Sequence, residues 1–477
     1  MRTIGRDFGD TARKVYAVAS GALGNGKAVV VNADGTVSSI FSNLTIFNAA
    51  STFTPSIATN GSGTFLIIYV DGGNSNAGMA VAGTISGSSV TLGTAVELTS
   101  GMANSRQSTS VVYDPDTSKF VIAYSDDNNS LYLTSRVVTV SGTSVSLGSA
   151  VVVDSQNVNT VEIDYDTSAN KVVFGWRGGT NTLVAGAVGT VSGTSISFGS
   201  TTTVAAKRPA YVNVVYDSNA NKTAFFYRDD ADTNDGYYVV CTVSGTSISG
   251  GSTATFNAAN TSHISATYDS TAQKIVIAYT DEGNNSYATA IVGTISSTSM
   301  SFGSEVVFSN NTAAYDISAS YDSANNKTFI FCEKSNTLQG IVGTVSGTSI
   351  SFGTAATLSS GGGKSYTSST FSVGSGKVLV VFRDQADSNK GSLLSLDSAF
   401  ETGNLTSENF IGITPSAYPT GAGAEIQTKG AINEEQSGLT AGQSYYVQTD
   451  GTLSTTAGDP SVFAGTAVSA TKIIVKG

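Results

Sequence analysis

The chain has 477 residues, of which only 12% are charged, and a formal net charge of −11. Its Lys and Arg residues are scattered singly, so no basic patch is available to neutralise phosphates, which argues against a nucleic-acid partner. Two cysteines, Cys241 and Cys332, lie in non-adjacent repeats and read as packed thiols; His263 is the one histidine, which removes most zinc sites and every Ser-His-Asp scheme that does not use it.

The first eighteen residues, MRTIGRDFGDTARKVYAV, hold no apolar run of signal-peptide length, and no stretch is long and apolar enough for a membrane helix. The expectation is a chain without a standard export signal and without a membrane partner. SGALGNGKAVVVNADGTV from Ser20 reads as a strand followed by an Asp-Gly turn. TVSSIFSNLTIF from Thr36 lines up with the second half of a later repeat unit, TSISFGSTTTV from Thr194.

Repeats fill the middle of the chain. TVSGTSISFG and its variants place a turn residue at Gly87, Gly142, Gly193, Gly245, Ser297 and Gly347, a period of about fifty residues that marks a repeat architecture. Each copy reads as a β-hairpin whose Gly supplies the positive φ of a two-residue turn. A second hairpin precedes it, as in VVYDPDTSKFVIAYSD from Val111 and ATYDSTAQKIVIAYTD from Ala266. Four antiparallel strands per repeat is the plan of a β-propeller blade. Six full repeats run from about Thr54 to Leu358, and a seventh, from about Tyr366, stops before its last hairpin.

The sequence therefore predicts an all-β chain: a seven-bladed β-propeller over 36–400, closed by an N-terminal strand in 36–48 that completes the last blade and hides sheet edges. Tyr69, Tyr124, Trp176, Tyr227, Tyr279, Phe331 and Phe382 mark the second strand of each blade. Residues 401–477 read as short strands with Gly-rich turns, and AGQSYYVQTDGTL from Ala441 resembles NGKAVVVNADGTV from Asn25. Residues 1–35 are expected to pack with 401–477 as one small β-domain.

Residues that follow a repeat are structural by default; a site is built from those that break it. The recurrent Asp114, Asp166, Asp217, Asp269 and Asp322 read as Asx-turn formers. The loops Asp71-x-x-Asn74-x-Asn76-x-Gly78, Asp229-x-x-Asp232-x-Asn234-x-Gly236 and Asp384-x-x-Asp387-x-Asn389-x-Gly391 space oxygens closely, but without the Gly position and terminal Glu of an EF-hand they read as polar turns. No metal, cofactor or catalytic constellation is expected: P-loop, CxxC, HExxH and a GxSxG between strand and helix are all missing. The loops entering the first strands carry non-repeating residues: Phe53, Arg106, Tyr211, His263, Tyr315 and Tyr366. Phe53, Tyr211, His263, Tyr315 and Tyr366, with Asp229 and Asp232 on the same face, form the candidate ligand-binding set, because ring faces stack on sugars while acids and amides bond hydroxyls.

Two stretches, SGALGNGKAVVVNADGTV and SGLTAGQSYYVQTDGTLSTTAGDPSVFAGTAVSATKIIVKG, resemble segments of large virion proteins of tailed phages, particularly those infecting marine bacteria. The resemblance implies a structural component of a virion: a tail fibre, tail adhesin, or head fibre or decoration protein. It implies other virion proteins as partners and no catalytic residues; the ring-bearing face is expected to bind a host surface glycan weakly and to gain strength from further copies of the chain on the particle. The rival readings are a secreted bacterial lectin or adhesin and, without positive support, a propeller glycosidase.

Overall fold

The structure, a computed structural model, describes residues 13–476 other than 41–42, 87–88, 106, 159, 179–182, 232, 311, 398–399, 401–402, 450 and 459. Among the described residues, regular structure is strand apart from two short 3-10 turns, Asp127–Asn129 and Glu282–Asn284, and no helix is long and apolar enough to cross a membrane. The chain divides into two compact units: Leu44–Phe400, and Met1–Asn43 with Glu401–Gly477.

Leu44–Phe400 holds the repeats. In the second repeat Thr109–Asp114 pairs with Lys119–Asp126, which pairs with Tyr132–Ser141. The outermost position is filled in two pieces, Ser144–Leu147 and Val151–Asn157, both paired with Tyr132–Ser141 and separated by a break at Gly148. The SGT turns fold as the sequence predicts: Gly142, Gly193, Gly245 and Gly347 have φ near +60°, and Ser297 adopts the same conformation. The other turn holds because each repeating Asp accepts two backbone N–H bonds, as Asp166 does from Ser168 and Ala169 at 2.9 Å each. In the fourth and fifth repeats one long strand, Ala254–Asp269, leaves the first sheet and enters the next, so the two share a nine-stranded sheet.

Second strands are continuous apolar runs because both of their faces are covered. Ile68 and Phe120, Val121 and Trp176, and Phe226 and Tyr279 illustrate side chains buried in clusters formed between consecutive repeats. Leu379, Val381 and Leu393 of the seventh repeat share a cluster with Ile57, Phe65 and Ile67 of the first. First strands are fastened by a polar side chain four residues before the position of the turn acid, which is Ser372 in the seventh repeat. Ser110 Oγ accepts the Ile163 N–H at 3.2 Å, Asn213 Oδ1 that of Ala266 at 3.0 Å, Ser265 Oγ that of Ala319 at 3.0 Å and Ser368 Oγ that of Ile57 at 3.4 Å. Antiparallel four-position sheets stacked face to face, with their first strands around one cavity, make this unit a β-propeller.

One expectation needs correction. Within 36–48 only Leu44–Asn48 joins the seventh repeat, pairing with Lys390–Leu396 in the register Thr45 to Leu393. Val37–Ser39 instead returns from the Asp34-Gly35 turn to pair with Ala28–Val31, and Val37 is buried with Val29 and Ile426. The strand after that turn belongs to its own hairpin, so the unit boundary falls at Asn43/Leu44 rather than 35/36. Phe331 lies on the second strand of the sixth repeat, as expected, but one place out of step with its counterparts: the residue five after the opening Lys327 is Cys332, and Phe331 points to the opposite face, where it packs on Phe400 at 5.9 Å between ring centroids.

The other unit is built from both chain ends and contains the same sheet twice. One sheet runs Lys14–Val18, Gly423–Gln427, Phe410–Ile413, Ala28–Val31, Val37–Ser39; the other runs Ile432–Asn433, Lys472–Val475, Val462–Ser469, Ser444–Val447, Leu453–Ser454. The turns match bond for bond: Asn32 N–H to Thr36 O and Gln448 N–H to Thr452 O, both 2.8 Å. So do the glycines of the central strands, where a Cβ on Gly412 would lie 2.1 Å from the Gln427 carbonyl and one on Gly465 2.0 Å from that of Ile474. Ala28 and Val30 of one hairpin share a core with Tyr445 and Val447 of the other.

Candidate functional site

The first strands of all the repeats line one cavity of about 710 Å3. At one end of it these strands bulge. The register skips between Phe53 and Ser56, Ala210 and Asn213, Ser262 and Ser265, Tyr315 and Ser318, and Ser365 and Ser368. The residues in the bulges take positive φ: Thr54 +43°, Tyr211 +52°, His263 +49°, Asp316 +51° and Tyr366 +56°; Gln107 in the second repeat has +59°. Such a conformation costs an L-residue about 1–2 kcal/mol, and none of these is glycine. A bulge re-aims its side chain, here into the cavity mouth.

The bulges bring aromatic rings together. Tyr211 and His263 stand 5.1 Å apart between centroids, and His263 and Tyr315 5.4 Å. Phe53 and Tyr366 meet edge-on at 6.3 Å. Arg228 lies over Tyr211 at 4.9 Å, and Arg383 over Phe53 at 4.7 Å and Tyr366 at 5.9 Å. The Asp316 N–H donates to His263 Nδ1 at 2.8 Å, which leaves Nε2 to carry the proton of the neutral ring.

Five of the predicted ligand-binding residues thus gather at one mouth: Tyr211, His263 and Tyr366 line the cavity, while Phe53 and Tyr315 each precede a bulge residue and flank it. Asp229 does not join them. It is 1% exposed, and its carboxylate takes Lys207 Nζ at 2.9 Å and the N–H groups of Arg208 and Ala231 at 3.1 Å each. An acid at the end of a second strand is drawn into its own turn, where backbone donors satisfy it. Asp232 and Arg106 lie outside the described residues. The other acid-rich loops also turn inward: Asp71 accepts from the Gly73 N–H at 2.9 Å, and Asp384 pairs with Lys364 at 2.5 Å.

Two residues deeper in the cavity were not singled out from the sequence. Glu162 and Asp164, two apart on Val161–Asp166, both line it. Burial pushes the Glu162 carboxyl up to about 8, against the hydrogen bond from Ser110 Oγ at 2.8 Å. Burial pushes Asp164 up to about 6, against backbone N–H bonds from Tyr216 at 2.7 Å and Tyr165 at 2.8 Å. The signal was present: counting back four from the turn position, which is Asn60 in the first repeat, Ser372 in the seventh and Asp in the others, the repeats carry Ser56, Ser110, Glu162, Asn213, Ser265, Ser318 and Ser368, and only Glu162 is ionisable. Among the described residues the cavity lining holds Glu162, Asp164 and Asp316 and no Lys or Arg.

No protein-family model matches this chain, and no curated protein matches it. Among solved structures it is similar to the Dos1 propeller, with TM-score 0.46 and 11% identity over 74% of this chain and 96% of that one. It is similar to a protein from Lactobacillus plantarum, with TM-score 0.47 and 11% identity over 74% and 97%. It is also similar to the NanB sialidase of Streptococcus pneumoniae, with TM-score 0.43 and 13% identity over 76% and 71%. These are likenesses of fold, and no activity is drawn from them.

Proposed function

We propose that the chain is a structural display protein of a phage particle that binds a host surface glycan without cleaving it. Its middle is a seven-bladed propeller closed by Leu44–Asn48, and the unit made from the chain ends joins other virion proteins. Closure is supported by the pairing of Leu44–Asn48 with the last repeat and by the apolar cluster shared between the seventh and first repeats. Attachment through the ends is supported by the phage resemblance of SGALGNGKAVVVNADGTV and LTAGQSYYVQTDGTL.

The observation that carries the binding reading is the crown of Phe53, Tyr211, His263, Tyr315 and Tyr366, with Tyr211, His263 and Tyr366 held at positive φ. Ring faces beside polar groups stack on sugars, and weak single sites gain strength from many copies on one particle. A bulky residue is retained in a strained conformation when the surroundings need that side chain in that place. The test uses glycine, which relieves the backbone and removes the ring. Y211G and Y366G together should leave melting unchanged or higher while adsorption to host cells falls at least about tenfold. A large loss of melting would make the rings core residues, and unchanged adsorption would remove this mouth as the receptor site.

A further inference from the structure

Arg228 lies over Tyr211 at this mouth, and Arg177, Lys207 and Arg208 gather with it around one turn. Two acids face them, Asp229 and Asp230, and their bonding is uneven. Lys207 is paired with Asp229 at 2.9 Å and Arg228 with Asp230 at 2.8 Å. Arg177 reaches Asp230 only at 3.7 Å, beyond hydrogen-bond distance. Arg208 is exposed and makes no ion pair among the described residues, although its backbone is fixed by the Arg208 N–H to Asp229 Oδ1 at 3.1 Å and the Asp230 N–H to Arg208 O at 2.8 Å. Among the described residues the corner therefore sets four cationic side chains against two acids. Burial, and then the neighbouring Arg208 charge, hold the Arg177 guanidinium below its ordinary range, a repulsion that an anion would relieve.

The corner adjoins an aromatic face, since Arg228 lies over Tyr211. Among the described residues the cavity behind Tyr211 is lined by three carboxyl groups and no Lys or Arg; Glu162 keeps its proton up to about pH 8, and the other two acids give the cavity the opposite sign. An anionic substituent is repelled from the cavity and held at the rim, so the polarity of the mouth fixes which way round a ligand lies.

We infer that the glycan bound at this mouth is acidic: its carboxylate or sulfate sits between Arg177 and Arg208 while a sugar ring lies on Tyr211. This rests on the glycan reading above and adds the class of sugar. Guanidinium forks match both oxyanions, so the two sources share one chemistry.

The test is affinity electrophoresis of the full chain in gels containing polygalacturonate, dextran sulfate or neutral dextran. The expected result is retardation by at least one anionic polymer that weakens as salt is added, with the two polymers distinguishing carboxylate from sulfate. R208Q, at an exposed side chain, should weaken it severalfold, and R177Q/R208Q at least about tenfold, with melting of R208Q unchanged. Equal retardation by dextran, unchanged retardation of R177Q/R208Q, or no retardation by either anionic polymer overturns the inference. Dextran or host-cell binding that needs Tyr211 but ignores both Arg variants overturns the acidic class and leaves the glycan reading standing.

Discussion

Gly199 touches the turn of the next repeat: a Cβ placed on it would lie 1.8 Å from the Thr246 carbonyl oxygen. The same approach recurs from Gly93 to Thr143 at 2.0 Å, Gly148 to Thr194 at 2.0 Å and Gly303 to Thr348 at 1.8 Å. At these four positions the Gly that closes the hairpin is thus required by the next repeat, not by its own hairpin. Gly353 is the control, because the seventh repeat lacks that hairpin and the nearest atom to a Cβ is Val342 O at 3.8 Å. G199A should cost about 1–3 kcal/mol in urea unfolding, and G353A less than about 0.5. Equal losses would show that repeat stacking does not set this position.

Phe47 tests the strand shared between the two ends of the repeat array. It sits on Leu44–Asn48, is 8% exposed, and meets Tyr69 of the first repeat edge-on at 5.2 Å. F47A should destabilise the propeller by about 3–4 kcal/mol and promote aggregation, since the last sheet edge would loosen. Melting within a degree of the parent would separate Phe47 from the core of this unit.

Glu162 makes stability depend on pH. Its folded pKa of about 8 lies above the unfolded value, so the folded chain binds the extra proton between the two. Stability contributed by that proton is present below the unfolded pKa and is lost as pH rises toward 8. E162Q should therefore gain about 2 kcal/mol over the parent above that pH and nothing near pH 4, the full shift being reduced by water in the cavity. Parallel pH profiles of parent and variant would show that the carboxyl is solvated.

Lys364 and Asp384 form a buried pair at 2.5 Å, with the Lys side chain 0% exposed. Removing one partner leaves a charge without compensation. D384N should cost about 3–5 kcal/mol, and K364M/D384L should recover most of it. Additive losses in the double variant would show that the two charges do not act together.

The propeller was legible because its signals are local and repeated: SGT turns, Tyr-Asp turns and apolar second strands each recur about every fifty residues. The boundary at Asn43 was misplaced because Val37–Ser39 and Leu44–Asn48 are both short strands of β-branched and polar residues, and only pairing tells them apart. In the site, Tyr211, His263 and Tyr366 were visible as breaks in the repeat. Thr54 and Asp316, the matching bulge residues of the first and sixth repeats, were passed over for their neighbours Phe53 and Tyr315, because a bulge shifts register by one residue and leaves no mark in composition. Glu162 was hidden by its surroundings: its perturbation arises from burial among strands distant in sequence.

The duplicated sheet of the chain-end unit implies a history and a use. In the second copy, Leu453–Ser454 reaches Val462–Ser469 through a short loop; in the first, the same step from Val37–Ser39 to Phe410–Ile413 is where the whole propeller is spliced in. Within the propeller, entry and exit are adjacent, since Leu44 pairs with Leu394. The propeller is therefore a cassette: it can be lifted out, or exchanged for another domain whose termini meet, while the strands that receive it keep their partners.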